Sequence, residues 1–372
     1  MRVRLIMNTP ISRKGNIMEQ NKRVLLGMSG GVDSSVSALL LKEQGYDVIG
    51  ITLELFGGTC CNTDTIMDAK AVCNSIGIQH ITCDLKKEFK CKVIDNFIEE
   101  YSNQRTPNPC IECNKYMKFG AMYQKAKEIG CEYIATGHYA KMEYSEEYKE
   151  YVLKKANNIK KDQSYVLYNL PRELLGKVIF PLGNFSSKDE VRQIAKEKGL
   201  KVASKPDSED ICFIPDGNYK KFLQNNSFIK SKVGNIVDKD GNILGKHTGL
   251  YNYTIGQRKG LGISNKVPLF VIGFNEKKNE LIVGEEKQLY KREMKVSDVN
   301  LILFEKIENP LEVDVKIRYA AKPARAIINS LEDGTIQVIF NEAQRGITPG
   351  QSAVFYIDDI VVGGGKIGQL KK

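Results

Sequence analysis

The sequence predicts a doubly wound α/β domain with a parallel sheet, followed by a small connecting module and a C-terminal β-barrel. Three observations carry this. From Arg23 to about Phe213, short β-branched runs alternate with helical stretches, as strands do with crossover helices. Beyond Pro215 the long helical periodicity disappears, and glycines and short alternating runs take over. With 372 residues, 42% hydrophobic and 27% charged, the chain is long enough for two or three domains.

Taken in order, "RVLLGM" reads as a buried strand, "DSSVSALLLKEQ" as a helix closed by Gly45, and "DVIGITL" as the next strand. A helix from Thr65 to Ser75, the strand "QHITCDL", helices from about Phe89 to Tyr101 and from Asn114 to Ile129, and the strand "EYIATGH" follow. "SKDEVRQIAKEKGL" is a late helix capped by Ser187. These elements place the α/β domain at 21–213, the connecting module at 214–275 and the barrel at 276–372, with "EDGT" as one hairpin turn. Residues 1–20 read as a disordered leader, with Met18 as an alternative start.

No apolar run reaches the roughly 18 residues that a spanning helix needs, and the leader's "LIM" patch is too short for a signal-peptide core. A cytoplasmic protein without membrane contact is expected. Nine cysteines, unevenly spaced, fit a reducing compartment rather than a disulfide framework. The net charge of +10 permits a polyanionic partner. Two windows sharpen that. No acidic residue occurs from Gly241 to Asn275, where Lys246, Arg258, Lys259 and Lys266 accompany Tyr251 and Tyr253; Lys316, Arg318, Lys322 and Arg325 flank Tyr319 further on. Such cations neutralise phosphates and such rings stack on bases, although two solvated faces would look the same.

The stretch "GMSGGVDSS", Gly27 to Ser35, falls between the first strand and the first helix, where an anion meets helix-terminal N–H groups. Gly30 and Gly31 leave backbone amides free to close around phosphate, and Ser29, Ser34 and Ser35 add hydroxyls. Asp33 makes sense beside phosphates if it holds Mg²⁺. There is no lysine of the Walker kind. The alternative is a Ser/Gly turn that merely caps a helix. The loop resembles the S-G-G-x-D-S-S pyrophosphate loop of the N-type ATP pyrophosphatases, which cleave ATP between its α- and β-phosphates to adenylate a substrate oxygen.

An adenylated oxygen needs a nucleophile, and the candidates here are thiols. Cys110 and Cys113 lie in "TPNPCIECNK", a Pro-bounded loop just before a helix, whose N-terminal field favours a thiolate. Cys212, in "SEDICFIP", lies at the seam between the α/β domain and the connector. Cys73, Cys83, Cys91 and Cys131 read as buried inert thiols. Cys60 and Cys61 fall in a loop and keep an open role.

With "GMSGGVDSSVSALLL", "RTPNPCIECNKYMKFG", "YIATGHYA", "KDQSYVLYNL", "SEDICFIP", "YTIGQRKGLGI", "IRYA" and "PGQSAVFY" in this order, the chain resembles the bacterial tRNA-specific 2-thiouridylases from about Lys22 to Lys366. The resemblance implies ATP-dependent replacement of the C2 oxygen of the wobble uridine by sulfur in the tRNAs for Lys, Glu and Gln. It implies ATP positions at Gly27, Met28, Ser29, Gly30, Gly31, Val32, Asp33 and Ser34, with Leu53 and Gly137. Asn108, Pro109 and Cys110 match the segment around the target base. His138, Lys161, Asp162, Gln163, Arg318, Tyr319 and Gln351 match tRNA contacts, although His138 alone would read as a satisfied histidine at a strand end. Cys113 matches the nucleophile, and Cys212 the thiol that carries persulfide.

One departure stands out. Many members have aspartate where this chain has Cys110, and the C-x-x-C version resembles a subgroup that holds a 4Fe–4S cluster on three cysteines. Cys110, Cys113 and Cys212 fit that count. Two mechanisms are therefore open: a persulfide relay from Cys212 to the base, resolved by Cys113 and fed by a cysteine desulfurase or relay protein, or hydrosulfide bound at the open iron. Two other functions compete, a small-molecule ligase of the guanylate or NAD synthetase kind and a tRNA-binding protein without catalysis.

Overall fold

The computed structural model describes residues 22–56, 63–205, 211–226 and 232–368. The expected leader and the pair Cys60 and Cys61 lie outside the described residues.

The first unit is a parallel sheet in the order β3-β2-β1-β4-β7, built from β1 (Arg23–Gly27), β2 (Asp47–Glu54), β3 (Gln79–Asp84), β4 (Tyr133–Ala135) and β7 (Val178–Ile179). Strand alternation sends Val24 and Leu26 to one face and Leu25 to the other, and each face has its own buried cluster. Helices α1 (Val32–Glu43) and α2 (Thr63–Ile76) connect the first three strands. Gly45, at φ 84°, ends α1 as the sequence predicts. Because β1 has β2 on one side and β4 on the other, the chain reverses its winding at β1, and a crevice opens at the strand ends there.

Two helices are longer than expected. Residues 86–102 and 109–128 each form one continuous helix with a π-helical section, at Lys90–Ile94 and Asn114–Ala121. The helix Lys188–Glu197 begins as predicted, with Ser187 Oγ accepting from the Glu190 amide.

The second unit contains a short helix, Tyr219–Asn226, and a mixed sheet in the order β10-β11-β8-β9, formed by β8 (Gly234–Val237), β9 (Ile243–His247), β10 (Phe270–Asn275) and β11 (Glu280–Gly284). The expected boundary after Asn275 falls inside the β10–β11 hairpin, since β11 bonds to β10 and β8. The third unit is a closed antiparallel barrel: β12 (Tyr290–Leu301), β13 (Leu311–Lys316), β14 (Ala324–Ser330), β15 (Ile336–Arg345), β16 (Ser352–Ile357) and β17 (Ile360–Ile367), with β12 paired to both β15 and β17. Its interior is a cluster that includes Val313, Val338, Phe340 and Phe355.

A hairpin of β5 (Lys141–Ser145) and β6 (Glu150–Lys154) leaves the α/β unit and joins the barrel sheet through Ile360 and Lys154. Behind it, Tyr165 donates to the Ser352 carbonyl at 2.8 Å, and the Tyr168 hydroxyl lies 3.1 Å from Ser352 Oγ. These buried contacts join the barrel to the domain that carries the glycine-rich loop.

Candidate active site

The loop after β1 stands at the reversal point of the sheet. Gly30 has φ 65°, and a Cβ there would sit 2.8 Å from the Thr65 carbonyl oxygen, so no side chain fits. The Ser29 amide donates to Ser34 Oγ at 3.3 Å, while the Ser34 and Ser35 hydroxyls both donate to the Gly31 carbonyl. Gly31 caps α1 without a side-chain bond, so the first turn presents its N–H groups to the crevice. Gly137, just beyond β4, lies against this turn: a Cβ there would be 3.0 Å from Asp33 C and Ser34 N. Met28 and Val32 are buried and support the loop from below.

Asp33 is already engaged. Its Oδ1 accepts from the Tyr139 hydroxyl at 2.9 Å, and its Oδ2 pairs with Lys188 Nζ at 2.9 Å. Neither partner is foreseen from the sequence. A signal existed for Lys188, because a lysine in the first turn of a helix opposes the dipole and needs another reason to be there. Lys205 adds a second brace, donating to the Gly30 carbonyl at 3.2 Å and to Asp68 at 2.9 Å.

The thiols sit on the neighbouring helix. Contrary to expectation, Cys110 and Cys113 do not precede it but lie inside it, Cys110 in its first turn and Cys113 at its fifth position: Pro109 occupies the first position, where it lacks no needed donor, and Asn108 Oδ1 accepts from the Cys110 amide at 3.2 Å. Cys110 is exposed and Cys113 is buried. Cys113 belongs to an apolar cluster with Phe97, Phe213 and Tyr251, against which Cys212 and Leu53 also pack. The expected nucleophile Cys113, the expected persulfide carrier Cys212 and an expected nucleotide position, Leu53, thus share one cluster. On the barrel side, buried Glu112 pairs with Lys366 at 3.0 Å beside a polar cavity of about 320 Å³.

Other thiols depart from expectation. Cys73 and Cys131 are buried as predicted, and burial pushes both up to about 11. Cys91 is exposed, because it lies on the solvent side of its helix between exposed Lys90 and Lys92, and Cys83 is half-buried. Among the described residues, no three His, Cys, Asp or Glu side chains stand close enough together to hold a metal ion. The three-thiolate site is therefore not assembled in this conformation: Cys110 is exposed in the neighbourhood of Tyr319, while Cys113 is buried with the Cys212 cluster.

The expected tRNA contacts divide into two kinds. Lys161 and Tyr319 are exposed and Arg318 is half-buried, its guanidinium donating to the Arg345 carbonyl at 2.9 Å. Tyr319 donates to the Asp162 carbonyl at 3.1 Å. The Asp162 side chain instead turns inward and accepts from the Ala156 and Ser164 amides and the Ser164 hydroxyl. His138 is buried, with Nδ1 2.7 Å from Thr136 Oγ1, and burial, then the Lys118 ammonium, hold its imidazole well below the ordinary histidine range. Gln163 Oε1 accepts from the Tyr139 amide at 2.9 Å, and the Gln163 amide donates to the Tyr139 carbonyl at 2.8 Å. Gln351 Nε2 donates to the Thr106 carbonyl at 2.8 Å. The side chains of His138, Asp162, Gln163 and Gln351 thus each make hydrogen bonds within the protein.

Comparison with known proteins fits this geometry. A family model described as tRNA methyl transferase HUP domain matches 22–216, a tRNA methyl transferase PRC-barrel domain matches 220–285, and an aminomethyltransferase beta-barrel domain matches 291–367. The tRNA-specific 2-thiouridylase MnmA of Clostridioides difficile strain 630 is 51% identical over 94% of this chain and 99% of its own length. The chain belongs to the tRNA-specific 2-thiouridylase family. Thiouridylases of Clostridium botulinum Eklund 17B and Acetivibrio thermocellus are 50% and 48% identical over 93% of this chain, covering 98% and 99% of their own lengths. A solved NMN synthetase of Francisella tularensis matches 51% of this chain and 67% of its own at 15% identity, with a TM-score of 0.32, too weak a likeness to argue from. Among the described residues of this family member, no helix is long and apolar enough to cross a membrane.

Proposed function

We propose that this protein is a tRNA-uridine 2-sulfurtransferase that uses ATP to thiolate the wobble uridine of the tRNAs for Lys, Glu and Gln. The observation that carries this reading is the shared cluster of Cys113, Cys212 and Leu53, whose strand β2 pairs with β1, the strand that runs into the lysine-free anion loop. The names of the family models speak of methyl transfer and those of the whole-chain relatives of thiolation. Two thiols packed in one cluster support the second, and a small-molecule ligase would leave them and the barrel without a task.

The loop amides and the Ser29 and Ser34 hydroxyls cradle the phosphates of ATP, and Gly137 keeps the crevice narrow. Asp33 is the residue that would hold Mg²⁺, which supplies charge neutralisation for the phosphates. The uridine must be turned out of its stack to reach this crevice. Its O2 then attacks the α-phosphorus, the bond to the bridging oxygen breaks, and pyrophosphate leaves with the electron pair. The terminal sulfur of a persulfide on Cys212, loaded by a sulfur donor, attacks C2 and expels AMP. Cys113 thiolate then attacks the Cys212 sulfur, which forms a disulfide and frees the 2-thiouridine, and a dithiol reductant returns both thiols.

The test is to incubate the purified chain with ATP, Mg²⁺, tRNA and a persulfide donor and to analyse the digested nucleosides by mass spectrometry. 2-Thiouridine that depends on ATP is expected; pyrophosphate release without any thiolated nucleoside would contradict the reading.

A further inference from the structure

We propose that Lys188 is the cation that neutralises the departing pyrophosphate, held ready on Asp33 until ATP enters. The proposal rests on the adenylation reading above and adds a group that it does not use. The loop from Gly27 to Ser35 contains no lysine, yet cleavage between the α- and β-phosphates builds negative charge on the bridging oxygen, and a fixed cation is an effective way to stabilise it. Lys188 comes from far along the chain, at the first position of the helix Lys188–Glu197. Its ammonium lies 2.9 Å from Asp33 Oδ2, with the side chain 14% exposed.

Helix stability does not account for that placement. Asp189 and Glu190 obey the preference of a helix N-terminus for negative charge, whereas Lys188 opposes it. The loop carboxylate pairs with the lysine and is itself fixed from the other side by the Tyr139 hydroxyl at 2.9 Å. Tyr139 is clamped at both its backbone N–H and C=O by Gln163. The ammonium is therefore parked on the carboxylate of the anion cradle.

An ammonium and a divalent cation at contact distance from one carboxylate oxygen repel each other strongly in a partly buried site. When Asp33 is needed for Mg²⁺, Lys188 leaves it and turns to the phosphate oxygens. Two consequences follow for a chain without the ammonium: pyrophosphate leaves slowly, and less Mg²⁺ suffices to occupy Asp33.

The experiment measures tRNA-dependent pyrophosphate release against Mg²⁺ concentration for the full chain and for Lys188→Met and Lys188→Arg. Lys188→Met is expected to slow the maximal rate on the order of 100-fold, with a lower half-saturating Mg²⁺ concentration and unchanged tRNA affinity. Lys188→Arg should recover at least tenfold of the loss. A Lys188→Met rate within about threefold of the parent, or an unchanged Mg²⁺ half-saturation, overturns the proposal while adenylation stands. Should Lys188→Met fold poorly, Lys188→Gln against Lys188→Arg decides, and equal rates for those two overturn it. If the parent chain releases no pyrophosphate with tRNA, the adenylation reading itself fails, a result separable from the others.

Discussion

The side-chain amide of Gln351, just ahead of strand β16, donates to the carbonyl oxygen of Thr106 at 2.8 Å, and the Thr106 amide donates to the Pro349 carbonyl at 2.9 Å. The barrel thereby holds the loop that runs into Cys110 and Cys113. A hydrogen bond of this kind contributes about 1 kcal/mol, or roughly fivefold in a rate that depends on it. Gln351→Ala should lower thiolation turnover by about that factor and change tRNA affinity by less than about twofold. The opposite split, affinity lost with turnover kept, would make Gln351 a direct tRNA contact.

Arg318 stands beside exposed Tyr319, with Lys316 over the same ring at 5.7 Å. If this edge of the barrel meets phosphates, Arg318→Ala weakens tRNA binding and reduces its salt slope by about one, leaving ATP binding intact. Binding titrations at several salt concentrations check this, and an unchanged slope would remove Arg318 from the interface.

His138 gives a pH signature. Its imidazole is neutral in the fold because of burial, with the Lys118 ammonium adding to that. Below about pH 6.5 the unfolded chain binds a proton that the folded chain refuses, so stability falls as pH drops, by up to about 1.4 kcal/mol per pH unit for each such group. Half-buried His80 acts in the same direction, through burial and then Lys70. Urea midpoints between pH 7.5 and 5.5 should fall for the parent and fall less steeply for His138→Gln; equal slopes would show that His138 titrates normally in the fold.

Much of this architecture was legible in the sequence. β-Branched runs between helical stretches gave the strands and crossovers, and Gly45 and Ser187 marked helix ends through local chemistry that tertiary context did not override. The start of the thiol helix was misplaced because "TPNPC" contains two prolines, and Pro109 in the first turn is as compatible with a helix as with a loop. Hairpin β5–β6 was missed because β5 is polar and only partly buried, so the buried Val152 and Leu153 of β6 have no matching apolar run beside them in sequence, and the pairing with β17 crosses two domains. Partners such as Gln351 for Thr106 are set by sequence-distant contacts that no local pattern reports, and for Lys188 the local pattern marks a lysine out of place in a first turn without naming Asp33 as its partner. Cys91 was read as buried because its neighbours form a helix, but which face of that helix is wet depends on the packing around it.

The thiols should separate by environment. At pH 8 a group held near 11 is about 0.1% thiolate, so Cys73 and Cys131 should resist iodoacetamide in the folded chain. Exposed Cys91 and Cys110 should label first. Peptide mass spectrometry over a time course checks the order, and labelling of Cys73 as fast as Cys110 would contradict the burial described here.

The central claim is that AMP activates a carbonyl within reach of sulfur handled by Cys113 and Cys212 together. The most direct measurement is a single turnover of persulfide-loaded chain with ATP, Mg²⁺ and tRNA, without reductant, followed by non-reducing peptide mapping. A Cys113–Cys212 disulfide should form in step with 2-thiouridine, one for one. Formation of 2-thiouridine with both thiols still free would contradict the account.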